Sequence, residues 1–439
     1  MRDLLILAIF VGLLPVAWKR PYVGALLWAW ISIMNPHRLA YGFAYSFPFA
    51  QLAAAVTLMA MVKHREQLSA IPMIKVVGVW IAFCVWMVIT TIAAIYPGDS
   101  QEMLIKVAKI MVMLFVTMVV VVEKQQIQQL IWVFAMSIGL LGIKTGLFTL
   151  TGGGSGMVWG PPGSFIAGNN EIGLAFVVVI PSLYYLLQQT RHRWLRYLLY
   201  ASLGGSALAA FGTQSRGAFL AIAAMSGFLW LKAERKLALG VVLVVGALAV
   251  LSFMPDSWHS RMDTINTYQQ DRSAMGRINA WYFAFNLAAD NLLGGGYSIY
   301  KATLFARYAP NPEFVHAAHS IYFQVLGEHG FIGLTLYLLF GLFSWTLAGQ
   351  LQKRAGNHPD LAWIRHFAAM AKVSLIGFGV GGAFLSLAYF DLPYYLTVTL
   401  VVMYRWLNKH EPVLPPGRRH PPHIARRPGV GARHKEVGQ

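Results

Sequence analysis

The chain has 439 residues, of which 57% are hydrophobic and 12% charged, and its formal net charge is +18. A mean hydropathy of +0.55 is more apolar than a soluble domain can keep from water, so lipid is the solvent for most of it. A charge of this size raises nucleic acid as a partner, but Lys and Arg lie in short clusters between apolar segments rather than along one amphipathic surface, which excludes it. Cys84 is the only cysteine, so neither a disulfide nor a cysteine-based metal site is available.

The first apolar segment, 4–18, is followed by Lys19, Arg20 and Pro21 where a small-residue cleavage site would stand, and is read as retained. Others follow at 22–34, 47–62, 76–95, 103–122, 127–149, 171–190, 195–211, 217–231, 237–254, 319–349, 367–390 and 392–408. Since a helix needs about 20 apolar residues to cross the hydrocarbon core, the pattern predicts an all-α, polytopic integral membrane protein. It has 12 or 13 transmembrane helices within residues 1–408. The count stays open at the start, where two short segments, one interrupted by Pro15, allow a half-membrane hairpin and leave the side of the N-terminus unassigned.

Alternate connections are basic: Lys19-Arg20, Lys63 to Lys75, Lys124, Arg191 to Arg196, Lys232 to Lys236, Lys353 to Arg365, and the tail after Arg405. The positive-inside bias puts these in the cytoplasm, with 24 of the 35 Lys and Arg on that side and 11 on the other. Three connections then face outward: a Gly-rich loop, 151–170; a short turn, 212–217; and a large loop, 255–318. Within the last, 277–293 reads as an amphipathic helix with Ile278, Trp281, Phe285 and Ala288 or Ala289 on one face, ended by Gly294-Gly295-Gly296 and lying against the membrane. Residues 409–439, rich in Pro and with seven Lys or Arg, are expected to be a disordered cytoplasmic tail touching anionic lipid.

The chemistry-bearing pattern is spread over four outward pieces: Gly168-Asn169-Asn170; Gln214-Ser215-Arg216-Gly217; Gly276-Arg277-Ile278-Asn279-Ala280-Trp281 with Asn291 to Tyr297; and His319-Ser320 running to Leu334. In this order they resemble the O-antigen ligase and polymerase superfamily, with its Asn-bearing helix start, Ser-Arg-Gly turn, arginine-aromatic helix and His-led membrane helix. The opening stretch, from Met1 through Asn35-Pro36-His37-Arg38 to Phe49, further resembles a branch of O-glycosylation ligases associated with exosortase systems. The resemblance implies a glycosyltransferase of the bacterial cytoplasmic (inner) membrane whose active site faces the periplasm. Its donor would be an undecaprenyl-pyrophosphate-linked glycan and its acceptor a hydroxyl of lipid A-core, of a growing glycan or of a protein, with membrane lipids as the surroundings.

Cleaving a sugar-pyrophosphate bond requires charge stabilisation on the departing phosphates and a base for the acceptor hydroxyl. The outward acids, Asp256, Asp263, Asp271, Asp290 and Glu313 among them, form no Asp-X-Asp pair, so no metal and no other cofactor is expected and arginines take the phosphates. Arg216, at the outward start of a helix, and Arg277 are the candidates, against the plainer reading of interfacial arginines reaching headgroups. His319 is the expected base, because a helix N-terminus disfavours imidazolium, and His316 is its alternate. Asn170 belongs to the motif, Arg38 is a weaker donor contact, and Lys106, Lys109 and Lys144, near outer segment ends, form an electropositive entry or simply snorkel.

Glu328 is nine positions beyond His319, on the opposite helix face, and His329 and His37 read as structural or interfacial. A transporter of lipid-linked sugars is the rival class, but Glu171, Glu328 and Asp391 are few acids for it and no inverted pair of broken helices is evident. A membrane acyltransferase would explain the histidine and leave both arginines without a purpose.

Overall fold

Backbone N–H and C=O groups find no partner in hydrocarbon, so apolar runs of this length must close their hydrogen bonds within themselves as helices. The computed structural model describes residues 1–410 except 234, 264–268 and 270. Among the described residues there are sixteen α-helices and no strand. In order they are α1 (Arg2–Lys19), α2 (Pro21–Met34), α3 (Phe49–Lys63), α4 (Lys75–Ile92), α5 (Pro97–Val120), α6 (Lys124–Thr151), α7 (Asn169–Gln189), α8 (Arg193–Gly212), α9 (Arg216–Lys232) and α10 (Lys236–Phe253). The large loop holds α11 (Asp256–Asp263), α12 (Arg272–Asp290) and α13 (Ala302–Tyr308), and then come α14 (Ile321–Ala355), α15 (Ala362–Gly382) and α16 (Asp391–His410). The expected Pro-rich tail lies, from 411 onward, outside the described residues.

Seven helices are long and apolar enough to cross a membrane, with mean hydropathies between 1.2 and 2.4: α4, α5, α6, α7, α10, α14 and α15 with the turn before it. Two more, α2 and α3, are apolar but shorter, at 14 and 15 residues, and the bundle has two polar ends. Polar contacts identify those ends. At one, Arg405 donates to the carbonyls of Ser69, Ala70, Met118 and Val121, Gln67 donates to the Lys19 carbonyl, and Lys124 lies over Trp363. At the other, Arg2 donates to the Leu39 carbonyl, Asp99 pairs with Lys301, and Asn169 donates to the Thr213 carbonyl.

The first two segments form a helical hairpin of 18 and 14 residues, α1 packed against α2 and α3. Pro15 sits inside α1 without ending it, and the N-terminus lies at the end opposite the basic loops.

Helix α12 also has a face turned to the protein, which the sequence pattern does not assign. Its buried side is Gly276, Asn279, Ala280, Phe283, Ala284, Leu287 and Ala288, while Phe285 is 49% exposed. The sequence carries apolar residues on both faces, and the face with small residues every fourth position wins because it lets α12 press against α14, where a Cβ at Gly327 would lie 3.1 Å from Ala284. The helix ends at Asp290, before the glycines. Those glycines dock instead: the N–H groups of Gly295 and Gly296 donate to the carbonyls of Gly327 and Glu328, both at 2.9 Å. Just beyond, Gly330 breaks the path of α14 with φ 67° and ψ −173°.

Candidate active site

Four helices begin at the same place. Gly168 caps α7, Ser215 caps α9 by accepting the Ala218 N–H at 3.2 Å, Asp271 caps α12 by accepting the Ala274 N–H at 3.0 Å, and Ser320 caps α14. Side chains tie these starts together. Asn169 Nδ2 donates to the Thr213 carbonyl at 2.9 Å, joining α7 to the turn before α9. Arg216, the first residue of α9, forms an ion pair with Asp271 at the start of α12. Trp281 Nε1 donates at 2.7 Å to the Ala318 carbonyl in the segment that leads into α14, and its ring stacks on Phe323. His319 Nδ1 lies 3.9 Å from Glu171 Oε1 in the first turn of α7. The positive ends of four helix dipoles thus face one locale, which suits an anion.

Two turns repeat one device. Gln214-Ser215-Arg216 and His319-Ser320-Ile321 each place a non-glycine residue at positive φ, 53° for Gln214 and 43° for His319, immediately before a serine cap. Such a conformation is held only where the surroundings insist on it. For Gln214 the surroundings are the carbonyls of Gly154 and Ser155, which its amide reaches at 3.3 and 3.4 Å. His319 is held between Glu171 and the ring of His316, whose centroid is 5.2 Å away. His316 in turn fits because position 276 is glycine: a Cβ there would stand 2.9 Å from the imidazole.

The electrostatics follow from burial and neighbours. Burial first, then the charges of Arg277 and His316, push the His319 ring from 6.5 down to about 4, so it is neutral near pH 7. Its Nδ1 is buried and makes no hydrogen bond, and the nearest carboxylate is that of Glu171. Burial works against the charge on Asp271, but the Ala274 N–H and the Arg216 guanidinium outweigh it and hold the carboxyl below its usual range.

His319, Arg216, Arg277, His316 and Asn170 are therefore brought to one locale, since Arg277 acts electrostatically on both His319 and Glu171 and Asn170 is the second residue of α7. Arg38, Lys106 and Lys109 are gathered elsewhere at the same end of the bundle, around a cavity of about 740 Å³ between α2, α3 and α5. There burial and Arg38 push the His37 ring down to about 4. Lys144, exposed on α6, lines neither. Glu328 accepts the Tyr389 hydroxyl at 2.5 Å and His329 meets Thr90 Oγ1 at 2.7 Å, deep in the bundle. Two residues escaped the sequence reading of the site, Glu171 and Asp271. Glu171 had a signal, an acid in the first turn after a Gly-Asn-Asn helix start; the pairing of Asp271 with Arg216 had none, because the two are 55 positions apart.

Residues 1–190 match a family of unknown function, and residues 201–338 match the O-antigen ligase family. No curated protein matches the chain. The second match contains Arg216, Arg277, His316 and His319, whereas Asn170 and Glu171 fall in the first.

Proposed function

Because residues 201–338 make this multi-pass membrane chain a member of the O-antigen ligase superfamily, a glycosyl-transferring class, we propose that it transfers a glycan from undecaprenyl pyrophosphate to a lipid-borne hydroxyl, with lipid A-core as the favoured acceptor. The observation that carries this reading is the neutral His319 standing beside Arg277 where four helices begin. The donor's diphosphate meets Arg277, Arg216 and the helix starts, competing with Asp271 for Arg216. A proton on His319 Nδ1 faces Glu171, which leaves the Nε2 lone pair to take the proton of the acceptor hydroxyl. The acceptor oxygen forms a bond to the anomeric carbon as the bond from that carbon to the diphosphate oxygen breaks, and its electron pair leaves with the diphosphate. A single displacement of this kind inverts the anomeric centre and calls for no metal.

Glu171 is a positioning residue, holding the ring's orientation and stabilising the imidazolium that forms, as a carboxylate does behind other histidine bases. The basic loops lie at the end opposite this site, and the positive-inside bias then favours a periplasmic active site in the bacterial inner membrane.

The test is transfer from a purified lipid-linked donor to lipid A-core in proteoliposomes. Asn tolerates positive φ, so His319→Asn removes the base without backbone strain. Transfer should fall about 10²- to 10⁴-fold with the thermal midpoint kept. A folded His319→Asn enzyme with the wild-type rate would remove His319 as base, and activity lost to a chelator and restored by a divalent ion would sink the metal-independent mechanism.

A further inference from the structure

A second feature at the same end is not used by the transfer step: the cavity of about 740 Å³ between α2, α3 and α5. Its inner part is apolar, with Trp28 and Ile31 as floor and Ala54, Leu58, Ala108 and Val112 among the walls. Leu58, Ile105 and Val112 are 42%, 48% and 51% exposed, so the slot opens sideways onto the surface that faces lipid. Its mouth carries Arg38, Lys106 and Lys109, with the Arg38 guanidinium 4.8 Å from the Tyr45 ring centre and Lys106 Nζ 4.2 Å from that of Phe165. Among the described residues, no carboxylate lies within 4.0 Å of these three cations.

Snorkelling accounts for one long cation stretching to the headgroups. It does not account for three, from two separate elements, converging on one cavity beside hydrocarbon, where uncompensated charge is costly. A ligand carrying several negative charges on a single apolar chain matches both halves of the cavity. A two-chain phospholipid brings one phosphate and needs room for a second chain.

We propose that this cavity binds a polyprenyl diphosphate, its chain in the slot between α3 and α5 and its phosphates on Arg38, Lys106 and Lys109. Only the choice of carrier rests on the proposed transfer reaction. The loaded donor and the spent carrier share this chain and diphosphate, and the cavity takes either by that shared end. The loop that contributes Gly163 and Phe165 to the mouth ends at Gly168, the cap of α7, three residues before Glu171. A carrier held here therefore lies beside the segment that positions the base.

The experiment measures binding of radiolabelled, glycan-free undecaprenyl diphosphate to the full-length protein in nanodiscs of zwitterionic lipid. Arg38→Gln with Lys106→Gln should weaken binding at least about tenfold, the scale of lost charge-assisted contacts. Ala54→Trp, which fills the slot and leaves the charges, should do the same. His319→Asn, which leaves every proposed phosphate contact in place, should bind the probe as the wild type does, so failure of the transfer reading and failure of this site are told apart. Wild-type binding by both cavity variants at an unchanged thermal midpoint would overturn the proposal, since the probe would then be held by Arg216 and Arg277 instead. Displacement of the probe by an equal concentration of phosphatidylglycerol would make the cavity a general anionic-lipid site and also overturn it. A loaded donor that binds where the glycan-free carrier does not would refute recognition by the shared end.

Discussion

Two groups of cations stand at the same end of this bundle, and they are built in opposite ways. Arg216 is paired with Asp271, with the two side chains only 17% and 15% exposed, at a point where four helix starts are laced together. Arg38, Lys106 and Lys109 ring an open apolar slot where, among the described residues, aromatic faces rather than carboxylates stand beside two of them. A charge already held by a carboxylate cannot be cheaply reoriented, which is what transition-state stabilisation requires, since preorganised donors need no rearrangement at the moment of reaction. Charges without such a partner gain more from an incoming phosphate and serve capture better than chemistry. The contrast separates a place for reacting from a place for holding.

The sharpest way to break that contrast is kinetic. Arg277→Ala should lower kcat for glycan transfer by about 10²- to 10³-fold, the loss typical of removing one donor to developing charge. Arg38→Gln with Lys106→Gln should instead raise KM for the lipid-linked donor while kcat holds, the signature of binding shared by ground and transition states. Equal falls in kcat for both variants, read in initial-rate assays at saturating donor, would dissolve the distinction.

A smaller effect is expected at Glu171. Glu171→Gln keeps the volume of the side chain and loses the charge behind His319, so kcat should fall by about tenfold, comparable to losing an outer partner of a ligand histidine. Glu171→Asp, which retains the charge on a shorter stem, should recover part of the loss. Full wild-type activity in Glu171→Gln would show that the 3.9 Å approach of the two side chains has no part in orienting the ring.

How much of this was legible beforehand depends on the range of the interaction. Apolar run length and punctuation by Pro, Gly and charge are local, and the helices stand where those signals put them, although α5 starts at Pro97 rather than near 103 because its first turns are polar. His319 and Arg216 were readable for the same reason, each beside a Ser cap that announces a helix start. The face of α12 was not, because Ile278, Trp281 and Phe285 look as apolar as Ala280, Phe283 and Leu287, and only the partner helix decides. The pairing of Asp271 with Arg216 was unreadable from local pattern, since the partner stands on another helix. His329 shows the converse: a histidine on an apolar helix, it is fully buried against Phe83, Tyr297 and Tyr389.

The smallest expected effect is a displacement on the pH axis, and it tests the electrostatics directly. The His319 ring titrates at about 4 in the folded protein against 6.5 ordinarily, so between those values the unfolded chain takes up a proton that the folded chain refuses. Stability therefore falls as the pH is lowered from 6.5 towards 4. The reactive form is the neutral one, so kcat/KM should hold through the same window and fall only as the pH drops through about 4. Burial is the largest cause of the depression and Arg277 the next. Arg277→Gln should then move the acid limb upward, part of the way towards 6.5, and His316→Gln should move it in the same direction. The position of the limb is independent of its height, so the shift is readable in variants with little residual activity. An acid limb that stays in place in both variants would mean that the titrating group is not His319, and with it the distinction between a reacting and a holding region would lose its base.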